Sequence, residues 1–286
     1  MTTASTPSRA LEGRTLIMSG GSRGIGEAIA VSAARAGANI ALIAKTAEPN
    51  PNLPGTIFTA AQAIEEAGGR ALPIVGDIRD DAQVTDAVAR TVEEFGGIDI
   101  VVNNASALDL SPADALSMKK YDLMQDINAR GAFLLSALCI PHLRKSTNAH
   151  VLTLSPPIDL DPKWFAGIGT GYTISKFSMS LVTIGLAAEL KDDGIAVNSL
   201  WPRTTIDTAA VRNILGAELV SKSRTPQIVA DAAMAILSQP ASAATGQCFI
   251  DDEVLVANGT DDLSSYRVAP GPSDDLELDF WMDPMR

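Results

Sequence analysis

A single-domain, doubly wound parallel sheet of about seven strands, with helices on both faces, is the fold this sequence predicts. Three observations predict it. Short, nearly continuous apolar runs of strand length recur along the chain, as suits parallel strands buried on both faces rather than half-exposed alternating ones. Longer stretches with apolar spacing of three and four separate these runs, which is the helical period. Glycine-bearing turns mark the boundaries. Repeated β-α-β implies right-handed crossovers.

The elements follow in order. TLIMSG (15–20) is the first strand and runs into SGGSRGIGEAIA, which opens a helix over 24–36 closed by AGAN. NIALIAK (39–45) is the second strand, and TAEPNPNLPGTIF (46–58) is a proline-rich loop longer than the usual connection. EAGGR closes a second helix before ALPIVGD (71–77), the third strand. A helix over 81–95 ends at FGGID before DIVVNNA (99–105). A long helix over 119–140 precedes AHVLTLS (149–155), and a helix over 172–190 precedes IAVNSLW (195–201). A helix over 226–238 then leads to QCFIDD (247–252). Residues 1–250 read as one domain and 251–286 as an acidic extension, expected to pack on that domain or on a neighbouring subunit.

Composition narrows the function classes. Of 286 residues, 46% are apolar and 20% charged, and the net charge is −12. Nucleic-acid binding needs basic surface to displace counterions, so that balance argues against it, and against docking on anionic membranes. The last segment, 251–286, holds ten acidic residues and two arginines. No run approaches the roughly 18 apolar residues of a membrane span, and the N-terminus has no apolar core of a secretory signal. Cys139 and Cys248 form no C-x-x-C pair, so no metal site is expected. Two buried thiols in a reducing compartment, the cytoplasm, are the expectation.

The glycine loop carries the first chemical signal. From Ser19 through Gly20, Ser22, Arg23, Gly24 and Ile25 to Gly26 it joins the first strand to the first helix. Glycines there let the backbone approach a pyrophosphate and aim a helix N-terminus at its charge. The spacing G-x-x-x-G-x-G resembles that of the short-chain dehydrogenase/reductase family, whose opening motif is T-G-x-x-x-G-x-G, and the likeness covers roughly residues 12–250. Ser19 stands for the threonine and retains the hydroxyl. The resemblance implies a Rossmann-type fold and a nicotinamide cofactor. NAD sites place an acid at the end of the second strand; here Lys45 stands there, with Arg23 nearby, and two cations suit a 2′-phosphate. NADP(H) is therefore expected. The family also implies that Asp77, beside Ile78, meets the adenine, and that Asn104, Ala105 and Ser106 flank the cofactor. Asn103 reads as structural.

The second signal is GYTISK (171–176). Tyr172 and Lys176 lie one helical turn apart. A free phenol titrates near pH 10, and a nearby ammonium favours the phenolate, which would make the tyrosine a usable general acid or base. The pair matches the family's Y-x-x-x-K. The resemblance implies that Tyr172 protonates a carbonyl oxygen while hydride is delivered to its carbon, that Lys176 also binds ribose, and that Asn128 holds a water against the lysine. The alternative for Asn128 is a buried amide with only structural bonds.

The chain departs from the family where two serines usually end the fifth strand, for here the pair is Ser155–Pro156. Ser155 swings in to replace the lost donor, or another loop donor does, or the chemistry is weak or absent. After the sixth strand the usual Pro-Gly is Pro202–Arg203, placing a cation near the cofactor or substrate mouth; a salt-bridged arginine is the alternative. Residues 204–218 are the expected lid, and Trp164, Phe165 and Trp201 are candidate pocket walls or core. The loop 46–58, SPPIDLDPKWF and WPRTTIDT together resemble the hydroxysteroid dehydrogenase-like subgroup, whose larger members add a sterol-carrier domain not expected here. That resemblance does not establish a steroid substrate.

Phe280 and Trp281, amid acids in the tail, suggest an anchor onto the tail's own domain or a neighbouring subunit. The family implies a homodimer or homotetramer. The expected partner is a small carbonyl or alcohol substrate, with an NADP(H)-binding sensor or scaffold of little activity as the competing reading.

Overall fold

In the computed structural model, residues 9–50, 53–272 and 275–283 are described, except for the side chains of residues 214, 215, 217 and 218. The N-terminal segment judged above for a signal therefore lies largely outside the described residues, as do two positions of the proline-rich loop and five of the tail.

Seven strands form one parallel sheet: β1 Thr15–Ser19, β2 Asn39–Ala44, β3 Arg70–Val75, β4 Ile100–Asn103, β5 His150–Thr153, β6 Ala196–Trp201 and β7 Cys248–Ile250. Their order is β3-β2-β1-β4-β5-β6-β7. The direction of winding reverses between β1 and β4, and a crevice opens there beyond the carboxyl ends of the strands. β1 is buried along its whole length, whereas β3 is exposed at both ends. The expectation of burial on both faces fails for β3 because it is an edge strand, a place where Pro73 removes no needed ladder donor.

The helices are α1 Gly24–Arg35, α2 Ile57–Glu66, α3 Asp81–Phe95, α4 Met118–Met124, α5 Gly131–Leu143, α6 Pro162–Ile168, α7 Thr170–Glu189, α8 Ala209–Ser221, α9 Gln227–Leu237 and α10 Asp251–Ala257. Local chemistry sets several ends. Thr56 and Thr59 form a reciprocal capping box that starts α2. Asp80 accepts from the amides of Ala82 and Gln83 to start α3, and Gly96, at φ 86°, ends it in the left-handed region. The single helix expected over 119–140 is instead α4 and α5 joined by a π-helical turn, Gln125–Arg130. Asn128 sits in that turn, a distortion often found at functional sites. The strand expected over 247–252 stops at Ile250, where the chain turns into α10. The expected lid includes most of α8, which bends at Gly216.

One apolar core packs α1 and α9 on one face of the sheet, and a second packs α3, α5 and α7 on the other. A third, smaller cluster lies at the carboxyl end of the strands and includes Tyr172, Phe177, Trp201 and Trp281. Cys139 is buried, but Cys248 is exposed, correcting the expectation of two buried thiols: β7 is the other edge of the sheet. Among the described residues no helix is long and apolar enough to cross a membrane, and no group of three or more His, Cys, Asp or Glu side chains could hold a metal ion.

Candidate active site

The crevice beyond β1, β2 and β4 is a cavity of about 450 Å³. Gly20 and Gly24 have φ of 76° and 59°, where side chains are strained. Close approach matters as much as torsion. A Cβ on Gly26 would stand 2.4 Å from Asn104 Nδ2 and 2.8 Å from the Gly20 carbonyl oxygen. That amide is itself held, donating to the Gly20 carbonyl at 2.8 Å. Ser19 Oγ accepts from the amides of Asn104 and Ala105 at 3.3 and 3.2 Å. The loop is thus stitched to the end of β4. Gly26→Ala is expected to destabilise the fold by about 1–3 kcal/mol, the usual cost of overpacking, read as a lower denaturation midpoint in urea. An unchanged midpoint would mean that the loop yields freely. The N-cap of α1, Arg23, makes no side-chain cap, leaving the first amides of the helix without that partner.

Ser22, Ile25, Lys45, Asp77 and Ile78 line the same cavity, as do Ala105 and Ser106. Lys45 Nζ is 3.0 Å from Asp77 Oδ2 and stays exposed. Asp77 also accepts a bidentate fork from Arg79, with Nε at 3.0 Å from Oδ1 and Nη2 at 2.6 Å from Oδ2. Arg79, and secondarily Lys45, hold the Asp77 carboxyl well below the usual carboxylate range. Sequence reasoning missed Arg79, whose only signal was its place two residues after Asp77. Arg23 lines the cavity but spends its donors on the proline-rich loop: Nε to the Pro54 carbonyl at 3.1 Å and Nη2 to the Gly55 carbonyl at 2.7 Å.

At the reacting end, Tyr172 and Lys176 lie on α7, 6% and 2% exposed. Ser106 lines the crevice and acts on the phenol in the sense that favours its ionisation, the smallest of the influences on it. Lys176 Nζ donates to the Leu154 carbonyl at 2.6 Å, and its ammonium sits 4.9 Å from the Trp201 ring centroid. Burial pushes Lys176 down to about 7, partly opposed by Asp279. Tyr172 is raised well above the ordinary phenol range, first by burial and then by the charge of Asp279. This direction is opposite to the sequence expectation, because burial and a carboxylate charge both disfavour the phenolate.

Ser155 Oγ is buried without a hydrogen-bond partner, whereas the Pro156 carbonyl accepts from Ser180 Oγ at 2.6 Å. Asn128 is fully committed: its Oδ1 accepts from the Ala107 amide at 2.7 Å, and its Nδ2 donates to the Ala107 carbonyl and to Ser175 Oγ, both at 2.9 Å. Asn103 Nδ2 donates to Ser136 Oγ at 2.9 Å, a tie between β4 and α5. Pro202 is buried just after β6. Arg203 points away from the crevice. Its Nε donates to both oxygens of Asp252, at 2.9 and 2.7 Å, its Nη2 pairs with Glu253, and its amide donates to Asp251. Trp201 is buried, and Trp164 and Phe165 are partly buried against the third cluster.

Two functional candidates went unremarked in the sequence or were read only as an anchor. Asp279 carried no local signal. Trp281 stood out as an aromatic amid acids, and its ring lies 5.8 Å from that of Tyr172, 5.6 Å from Phe177 and 5.5 Å from Trp201.

Comparison with known proteins agrees with this geometry. The family profile of the short chain dehydrogenases matches residues 14–218. Hydroxysteroid dehydrogenase-like protein 2 of Danio rerio is 52% identical over 273 residues, and that of Homo sapiens 47%. These alignments cover 96% of this chain but only 65% and 64% of those proteins. A solved structure from Xanthomonas campestris superposes with a TM-score of 0.91 at 51% identity, covering 96% of this chain and 99% of that one. A short chain dehydrogenase from Mycobacterium thermoresistibile gives 0.90 at 54%, covering 96% of each. With a glycine-cradled crevice at the sheet's switch point, a tyrosine–lysine pair beside it and a profile match over most of its length, this chain belongs to the short-chain dehydrogenase/reductase family.

Proposed function

We propose that the protein is an NADP(H)-dependent oxidoreductase that interconverts a carbonyl and a secondary alcohol, with Tyr172 as general acid and base. The observation that carries this reading is the link through Asn128, which bonds the amide and the carbonyl of Ala107, next to the crevice residues Asn104, Ala105 and Ser106, and donates to Ser175 between Tyr172 and Lys176 on α7. The crevice fits a dinucleotide. Glycines stand where a Cβ would fill the cradle, and the uncapped start of α1 faces it. When bound, the nicotinamide supplies or accepts the hydride.

The chain's own residues do the rest. Ser19, Gly20, Ser22, Gly24, Ile25 and Gly26 hold the pyrophosphate, with Arg23 bracing the loop. Asp77 and Ile78 flank the adenine, and Asn104, Ala105 and Ser106 flank the nicotinamide side with Pro202. Tyr172 gives its proton to the carbonyl oxygen during reduction and recovers it afterwards. Lys176 fixes the ribose. Ser155 Oγ, buried with no partner, is the donor that holds the substrate oxygen in place of the side chain lost at Pro156. Asn128 keeps the segment at Ala107 in register beside the pair. Arg203 acts on α10 rather than on cofactor.

Lys45 selects the 2′-phosphate. Arg79 alone satisfies both oxygens of Asp77, so Lys45 is able to turn to the phosphate without stranding that carboxylate. Lys45→Ala is expected to weaken NADPH about tenfold, equivalent to about 1.4 kcal/mol, and to leave NADH unchanged in a fluorescence titration. Tighter binding of NADH than NADPH by the unaltered protein would overturn this preference.

The test of the reaction is NADPH oxidation over a panel of ketones, aldehydes and fatty-acyl carbonyls. One observation favours a second reading, a nucleotide-binding sensor or scaffold: the rings of Phe280 and Trp281 pack against Tyr172. Tight NADPH binding without turnover on any panel member would support it. Self-association is proposed through α5 and α7, where Phe133, Leu181 and Ile184 stand exposed.

A further inference from the structure

Residues 277–283 cross the reacting end as a strap. Leu278 forms an antiparallel bridge with Thr204. The Thr205 amide donates to the Glu277 carbonyl, and the Asp279 amide to the Arg203 carbonyl, both at 2.9 Å. At the far end, Lys163 Nζ lies 2.7 and 2.9 Å from the two carboxylate oxygens of Asp283. Between these ties the strap lays two rings on the phenol. Those of Phe280 and Trp281 lie 6.4 and 5.8 Å from that of Tyr172. The Trp281 ring also sits 5.6 Å from Phe177 and 5.5 Å from Trp201, and the Phe280 carbonyl accepts from Trp201 Nε1 at 3.0 Å.

Tyr172, Lys176 and Ser155 are all buried. A carbonyl compound has to come within hydrogen-bond distance of the phenol to take its proton, so something over that phenol has to move. The strap has two physical reasons to do so. Trp281 has φ of 62°, in the left-handed region that an L-residue with a side chain occupies uphill. Its Nε1 is buried with no hydrogen-bond partner among the described residues, and a buried donor left unpaired favours any state in which an acceptor reaches it. Both penalties fall on the residue whose ring meets Tyr172, and lifting the strap relieves both.

We propose that the strap is a gate over the tyrosine–lysine pair, with Trp281 as its latch: substrate reaches Tyr172 when the strap lifts and carries the Trp281 ring away from Phe177 and Trp201. The inference rests on the catalytic reading of Tyr172. The nucleotide crevice is lined by residues from 20–127 and 208–210, with none from the strap among the described residues. Cofactor therefore enters with the gate shut, and substrate does not.

The bridge supplies a lock. Thr204 and Leu278 are a non-hydrogen-bonded pair, since the ladder bonds come from the residues flanking them. The Cα atoms of such a pair stand about 4.5 Å apart, within the reach of a disulfide. Thr204 Oγ1 is buried without a hydrogen-bond partner among the described residues, so a cysteine there gives up no side-chain bond. Thr204→Cys combined with Leu278→Cys locks the gate when oxidised and frees it when reduced. Oxidation is expected to lower kcat/KM for a ketone found by the panel about tenfold or more, because apparent affinity scales with the open fraction. The Kd for NADPH is expected to stay within about twofold, and dithiothreitol to restore the rate. The unaltered protein oxidised alongside accounts for the exposed Cys248.

A second measurement needs neither a variant nor turnover: hydrogen exchange of the unaltered protein, read at single amides by mass spectrometry. The Asp279 amide is expected to exchange about tenfold or more faster than the Ser199 amide of β6, which donates to the Gln247 carbonyl at the same 2.9 Å, yet more slowly than in an unfolded chain.

An oxidised protein that turns over as fast as the reduced one overturns the proposal, as does a loss of rate that NADPH binding shares. An Asp279 amide as slow as that of Ser199 also overturns it, because the strap would then open only with the sheet. So does an Asp279 amide with no protection, because no gate would then be docked. Should the double variant not fold, or the unaltered protein turn over nothing, the exchange measurement decides alone. Failure of the catalytic reading shows separately, as absence of turnover in the unaltered protein or as carbonyl reduction that survives Tyr172→Phe.

Discussion

Tyr172→Phe is expected to lower kcat for carbonyl reduction by about 10²–10⁴-fold, the contribution of a positioned general acid, while the Kd for NADPH stays within about twofold. The substitution removes one oxygen and leaves the ring against Phe280 and Trp281. Packing is kept, so any large loss of rate belongs to the proton and not to the fold. The hydroxyl sits in a dry site, so its removal is expected to cost about 1 kcal/mol or less in stability. Steady-state rates with a ketone found by the panel, together with a cofactor titration and a melting curve, check all three statements. A rate within tenfold of the unaltered protein would take Tyr172 out of the chemistry.

Trp281→Ala is expected to cost about 3–5 kcal/mol, the range for truncating a buried aromatic. Trp281 is 3% exposed and its ring meets Tyr172, Phe177, Trp201 and Phe280 within 6 Å. In a chain of this size 1 kcal/mol moves Tm by about 2–4 °C, so a fall of roughly 6–20 °C is expected by calorimetry. A control lies in the backbone. Trp281 has φ of 62°, the positive-φ non-glycine position among the described residues, and a left-handed L-residue costs roughly 1–2 kcal/mol. Trp281→Gly loses the same ring but relieves that strain, and is expected to melt a few degrees above Trp281→Ala. A fall below about 2 °C in Trp281→Ala would mean that the strap does not dock in solution. Deleting residues 270–286 acts on the same contacts, and is expected to change stability or oligomer size.

The elements most legible in the sequence were those whose cause is local. The glycine loop, the α3 boundaries at Asp80 and Gly96 and the one-turn spacing of Tyr172 and Lys176 follow from torsions, caps and helical period. Less legible was any residue whose role depends on a distant partner. Lys45 and Arg23 looked alike as free cations beside a ribose site. One stays exposed while pairing with Asp77, and the other is consumed by Pro54 and Gly55. Arg203 looked like a cation at the substrate mouth, yet Asp252 and Glu253, 49 and 50 residues on, draw it away.

The alternation of strands and helices, the glycine loop after β1 and the tyrosine–lysine pair were legible in the sequence alone, because periodicity, glycine torsion and motif spacing are written within a few residues of one another. What surrounds that pair is set by the packing of distant segments against it. Tyr172 and Lys176 titrate as their solvent and neighbours dictate, and those neighbours include a strap more than a hundred residues away in the chain. Proton affinity depends on burial and on charges in space, and neither is encoded in the spacing of a motif.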